Sequence, residues 1–134
     1  MCLAVYIASN KELALIPWVE AKPSFNILPL SKEEIPVKKQ FSLEFVYYVG
    51  SHQGCGCGFF KEGEAGEELA EVEESYKKLA TYIIKAKENG ASIQLFSCWE
   101  GDQTSKVENK EKINESTLNE KQFEFKEKWY YEIV

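Results

Sequence analysis

The chain has 134 residues, 44% of them hydrophobic and 13% aromatic, which suits one buried core and argues against disorder. Its net charge of −6 and pI near 5.0 go against nucleic acid as a partner, since phosphate binding needs clustered Lys and Arg. No apolar run approaches the roughly 20 residues of a transmembrane helix, so a membrane partner is not expected either.

The first segment, Met1-Cys2-Leu3-Ala4-Val5-Tyr6-Ile7-Ala8, has no basic start and does not read as a signal peptide. The expectation is a cytoplasmic chain whose four cysteines stay reduced. Residues 2–8 are apolar at both parities, which predicts a central strand with both faces covered. Reading Cys2 as an N-terminal nucleophile would require loss of Met1, and the chain is short for such a fold.

Residues 9–40 hold all four prolines, Pro17, Pro23, Pro29 and Pro36. Proline lacks the donor a central strand needs, so a long wrapping segment with a short extended piece at 25–28 is expected. Trp18, Phe25, Ile27 and Leu28 read as its anchors. Residues 43–49, Leu-Glu-Phe-Val-Tyr-Tyr-Val, are rich in aromatic and β-branched side chains and predict a strand ending at Gly50.

Next comes Gly50-Ser51-His52-Gln53-Gly54-Cys55-Gly56-Cys57-Gly58-Phe59, with the only histidine and two of the four cysteines. Glycine at 54, 56 and 58 suggests positive φ or close backbone approach. Thiols and imidazole are soft and borderline ligands that suit zinc, iron or copper. Two ligand pairs at knuckle spacing would mark a zinc site strongly; a single Cys-x-Cys marks it less specifically. A tight turn whose cysteines pack as small hydrophobes is the competing explanation.

Residues 67–89 carry one apolar stripe, Leu69, Val72, Tyr76, Leu79, Ala80 and Ile83, and predict the one main helix. Glutamates crowd its first half and lysines its second, which complements the helix dipole and offers the pairs Glu73–Lys77 and Glu74–Lys78. Asn89-Gly90 supplies the stop. Glutamates in the first turn argue against a phosphate-binding loop at this helix.

Residues 92–99 predict another strand, leading into Glu100-Gly101-Asp102. Residues 103–121 read as a polar surface excursion, with Thr117 and Glu120 suited to a short helical turn. Residues 122–133 alternate as a final strand, with Phe123, Phe125, Trp129, Tyr131 and Ile133 inward and a bulge at Glu127.

Together these elements predict one α+β domain over 1–134: a single mixed β-sheet of four to five strands with helix 67–89 packed on one face. The other face needs the proline-rich segment or a second subunit, and the aromatic content suffices for a homodimer surface. If strands 43–49 and 92–99 run parallel in one sheet, their carboxyl ends share an edge. His52, Cys55, Cys57, Cys98, Glu100 and Asp102 then converge, and Cys2 joins them if strand 2–8 runs antiparallel.

Gly50–Phe59 followed by Cys98-Trp99-Glu100-Gly101-Asp102 resembles a family of small uncharacterised bacterial proteins over most of the chain. The resemblance implies no activity; it implies that the two motifs occur together. Three functions stay open. One is a metal-binding domain, zinc-like, with ligands His52, Cys55, Cys57 and Cys98 and with Cys2 as a substitute. Another is a thiol enzyme or redox sensor using Cys55 or Cys57 as nucleophile with His52 beside it. The third is an interaction module, for a small-molecule or protein partner, in which the loop is a structural turn.

Overall fold

The computed structural model describes residues 2–134. Six strands form one sheet: β1 (Leu3–Ser9), β2 (Asn26–Pro29), β3 (Phe45–Gly50), β4 (Ile93–Trp99), β5 (Asn109–Ile113) and β6 (Trp129–Ile133), in the order β2-β3-β1-β4-β6-β5. The β5–β6 pair is parallel and the other four are antiparallel, so the sheet is mixed. One main helix, α1 (Gly66–Glu88), accompanies it.

The sheet thus exceeds the expected four to five strands. The extended piece at 25–28 is a true edge strand, β2, pairing with β3. The polar excursion contains β5, of which Ile113 alone is buried. A strand with one inward residue at a sheet edge leaves no alternating apolar pattern to read. Its Lys110, Glu111 and Lys112 also suit an edge, because charged side chains discourage further pairing.

β1 is buried along its whole length, and its side chains divide between two cores. Leu3, Val5 and Ile7 pack with Val49, Ile93, Leu95 and Tyr131 against Val72, Tyr76, Leu79, Ala80 and Ile83 of α1. Ala4, Tyr6 and Ala8 face the other way, with Tyr48, Phe96 and Cys98. That second face is covered from within the chain: Val37 lies in the 3₁₀ turn Ile35–Gln40, and Leu28, Leu30, Phe41 and Leu43 pack beside it.

Helix α1 follows its charge pattern only in part. Glu67 and Glu68 occupy the first turn, Lys85 and Lys87 the last, and Gly90 ends it at φ 89°. Among the described residues Glu73–Lys77 and Glu74–Lys78 form no ion pair; Lys78 Nζ instead donates to Ser24 Oγ at 2.6 Å. Exposed pairs on a helix surface are worth little, so a fixed hydroxyl competes well.

The last strand starts at Trp129, well after residue 122. Phe123 and Phe125 leave the sheet to pack on the Tyr76 ring, at centroid distances of 5.8 and 5.4 Å, and Lys128 turns the chain back at φ 58°. Tyr76 ties this segment to the glycine loop. Its hydroxyl donates to Phe59 O at 2.5 Å and accepts from Phe125 N at 3.1 Å. Tyr76→Phe therefore strands two buried backbone groups and is expected to lower unfolding free energy by about 1–3 kcal/mol in urea titrations; an unchanged midpoint would remove Tyr76 from this role.

Candidate metal centre

β3 and β4 each run against β1, so they run parallel to each other with β1 between them. The carboxyl ends of β3 and β4 and the start of β1 consequently lie at one end of the sheet. The loop 50–60 leaves β3 there, Glu100 leaves β4 there, and Cys2 enters β1 there. Glu100 N donates to Cys2 O at 2.8 Å, extending the β1–β4 ladder by one step.

The loop is built around Ser51, which is fully buried. Its Oγ donates to Cys55 O at 2.6 Å and accepts from Gln53 N at 3.2 Å and Gly58 N at 3.0 Å. Its own N–H also donates to Cys55 O, at 2.9 Å, and Asn26 Nδ2 donates to its carbonyl at 3.0 Å. One short hydroxyl thereby closes the turn from inside. No sequence motif marks it beyond a small polar residue between a strand end and a glycine run.

The glycines are required by contact more than by φ. A Cβ on Gly56 would lie 2.3 Å from Leu3 O, and one on Gly58 would lie 2.1 Å from Ser51 Oγ. Gly54 does need the left-handed region, at φ 84°, and packs on the Trp18 ring. Gly56 N donates to the Tyr48 hydroxyl at 3.1 Å. The loop is therefore laid directly on the first residues of β1, and Cys55 and Cys57, on either side of Gly56, are carried to Cys2.

The ligand atoms of Cys2, Cys55 and Cys57 lie within 4.8 Å of one another, and all three residues are half-buried. Among the described residues no other three His, Cys, Asp or Glu side chains gather so closely. Thus Cys55 and Cys57 meet Cys2, the residue given above as a substitute. The Cys57 sulfur, by hydrogen bonding and charge, raises the Cys2 thiol above its ordinary range, with smaller contributions from desolvation and from Glu100.

His52 and Cys98 stand outside this group. His52 Nδ1 lies 3.1 Å from Ser75 Oγ and Nε2 lies 3.3 Å from Glu71 Oε2, so both ring nitrogens already have partners on α1. Its backbone N–H also donates to Ser75 Oγ, at 3.2 Å. The histidine pins the loop to the helix. Cys98 sits opposite Ala4 in the β1–β4 ladder and is fully buried in the second core. Glu100 and Asp102 reach the same end of the sheet without joining the three thiols; Glu100 is exposed and Asp102 half-buried.

Burial pushes the Cys98 thiol up to about 12, with the charges of Asp102 and Glu100 adding to it. A neutral thiol at neutral pH is a weak nucleophile, and this one is also shielded. No helix among the described residues is long and apolar enough to cross a membrane. No family model, curated protein or solved structure matches the chain.

Native protein is expected to expose three thiols to a disulfide reagent and withhold Cys98 until unfolding. Fast labelling of Cys98 in the folded chain would contradict its placement. The same burial has a pH consequence. Because the folded Cys98 thiol ionises near 12 against 9.0 unfolded, its contribution to stability is full below pH 9.0 and is lost as pH rises towards 12. The decline of unfolding free energy above pH 9.0 should accordingly be shallower in Cys98→Ala than in the parent chain.

Proposed function

We propose that the chain binds one thiophilic metal ion, zinc, through Cys2, Cys55 and Cys57. The observation that carries this reading is the close grouping of three thiols drawn from two distant segments. A buried packing role would account for one cysteine at a time. It does not account for three half-buried sulfurs gathered within 4.8 Å of one another.

The donor set fits the ion. Soft thiolates select zinc or copper(I) over magnesium and calcium, which take oxygen ligands. Three sulfurs each about 2.3 Å from zinc lie just under about 4 Å apart, so small movements from the present separations suffice. Glu100 beside Cys2 adds negative charge that a cation would offset. The chain's own contribution is positional: Ser51 and Gly56 fix the Cys55–Cys57 turn on β1, and the Glu100 N–H fixes Cys2.

Three protein ligands leave a fourth position, the arrangement found in catalytic rather than structural zinc sites. Zinc in such a site supplies an activated water or polarises a carbonyl. A cleft of about 750 Å³ between the turns at 28–34 and 100–103 is lined by Tyr48 and Glu100, the residues that border the thiol loop and Cys2. None of the three thiols lines it, so the open fourth position rests on the ligand count. The loop 50–60 and Glu100 both leave the sheet at this end, which fits their acting as one unit.

Protein prepared without tag or chelator is expected to retain close to one zinc per chain, and cadmium should produce thiolate charge-transfer absorption. Affinity should rise with pH, because each thiol must lose its proton to bind. Cys2→Ser, Cys55→Ser and Cys57→Ser should each weaken binding more than roughly tenfold, while Cys98→Ser and His52→Ala leave it intact. Gly56→Ala, which forces the loop off Leu3, should weaken it as well. Failure to retain any ion, or dependence on Cys98 equal to that on Cys57, would overturn the reading.

A further inference from the structure

The same three thiols have a second chemistry when no metal holds them. A disulfide needs sulfurs about 2.05 Å apart and Cβ atoms about 3.8 Å apart. Any joining pair in this group must close from within 4.8 Å, so the outcome depends on which backbone can give.

Cys55 is the most constrained. Its carbonyl accepts from both Ser51 N and Ser51 Oγ, and its backbone is extended at φ −125° and ψ −178°. Joining it to Cys57, two residues on, would twist the intervening Gly56, which is pressed against Leu3 O. Cys2 is the least constrained. It precedes the first residue of β1, and among the described residues its backbone is held by the hydrogen bond from Glu100 N to its carbonyl. Cys57, in the 3₁₀ turn Gly56–Phe59, has its carbonyl tied to Phe60 N, with its half-buried side chain beside Cys2.

We propose that Cys2 and Cys57 form a reversible disulfide on reaction with hydrogen peroxide, and that this disulfide competes with the metal for the site. In the first step one of the two thiolates attacks a peroxide oxygen. The O–O bond breaks, hydroxide leaves and takes up a proton as water, and the sulfur becomes a sulfenic acid. In the second, the other thiolate attacks that sulfur, the S–O bond breaks, and a second hydroxide leaves as water. The two thiols lose two electrons and two protons, and peroxide is reduced to two waters. The half-buried thiols admit a small oxidant, whereas Cys98 is shielded from it. The link removes two of three metal ligands, and bound metal in turn withholds both sulfurs. The competition rests on the zinc reading; the disulfide itself rests on the thiol geometry.

Zinc binding by the fully reduced chain is measured first, which tests the metal reading alone. The reduced, metal-free chain is then given one equivalent of peroxide, trapped with an alkylating agent, and analysed by intact mass and peptide mapping. The expected product has lost the mass of two hydrogens, contains a Cys2–Cys57 cross-linked peptide, carries alkyl groups on Cys55 and, after unfolding, on Cys98, and reverts with dithiothreitol. Zinc-loaded chain should react roughly tenfold more slowly or less, and Cys2→Ser should accumulate sulfenic or sulfinic acid with no cross-link. A Cys55–Cys57 link, sulfinic acid accumulating in the parent chain, or no oxidation at all would overturn the proposal. A Cys2–Cys57 link in a chain that never binds zinc would sustain the disulfide and sink the competition with the metal reading.

Discussion

β1 runs against both of its neighbours, and the arrangement of the whole site follows from that one constraint. A parallel pair needs a long crossover, and here α1 provides it. Inserting an antiparallel strand between the two members of the pair reverses one chain direction at the middle of the sheet. Its start then lies between two strand ends, where a loop and a turn leave the sheet. Burial of β1 on both faces fixes this register firmly, because a slip of one residue would exchange Leu3, Val5 and Ile7 with Ala4, Tyr6 and Ala8 between two cores of different size.

What the sheet supplies coarsely, the loop refines by contact. Ser51 closes the turn with its hydroxyl, and Gly56 lets the backbone rest on Leu3. These are short-range steric and hydrogen-bonding terms, and they act on a segment that has little apolar burial of its own beyond Phe59. Tyr76 completes the hold from the helix side through Phe59 O. Cys55 and Cys57 are thus set half-buried on a firmly held backbone, a combination suited to ligand groups that must be reachable yet fixed in position.

Much of this was legible in the residues. The aromatic and β-branched runs locate β3 and β4, the apolar stripe locates α1, and the shared edge follows from a strand–helix–strand order. β5 is not legible, because Asn109, Lys110, Glu111 and Lys112 carry no burial signal, and the alternation overextends β6, because Phe123 and Phe125 keep the pattern while packing on Tyr76. The ligand set shows the limit most clearly. Cys98 and Cys2 have the same parity and reach the same end, but depth along a strand is set by register. Opposite Ala4, Cys98 falls inside the core, whereas Cys2 pairs beyond it with Glu100. His52 differs for another reason: a serine in the middle of a helix, Ser75, competes for its ring nitrogen, and no local pattern discloses that pairing.

The contact between Leu3 O and Gly56 joins positions far apart in the chain, and so does any bond between Cys2 and Cys57. Such a cross-link encloses β1, β2 and β3 in a loop of roughly 55 residues, for which the chain-entropy estimate of stabilisation is about 4 kcal/mol. The ladder from β1 to β4 lies half outside that loop, since β4 follows it in sequence. Closing the site therefore restricts the unfolded first half of the chain while leaving the helix and the last three strands free to explore. The order in which the two halves gain structure would then depend on whether the thiols are joined, so the chemical state of three cysteines reaches into the folding pathway of a sheet that spans the whole protein.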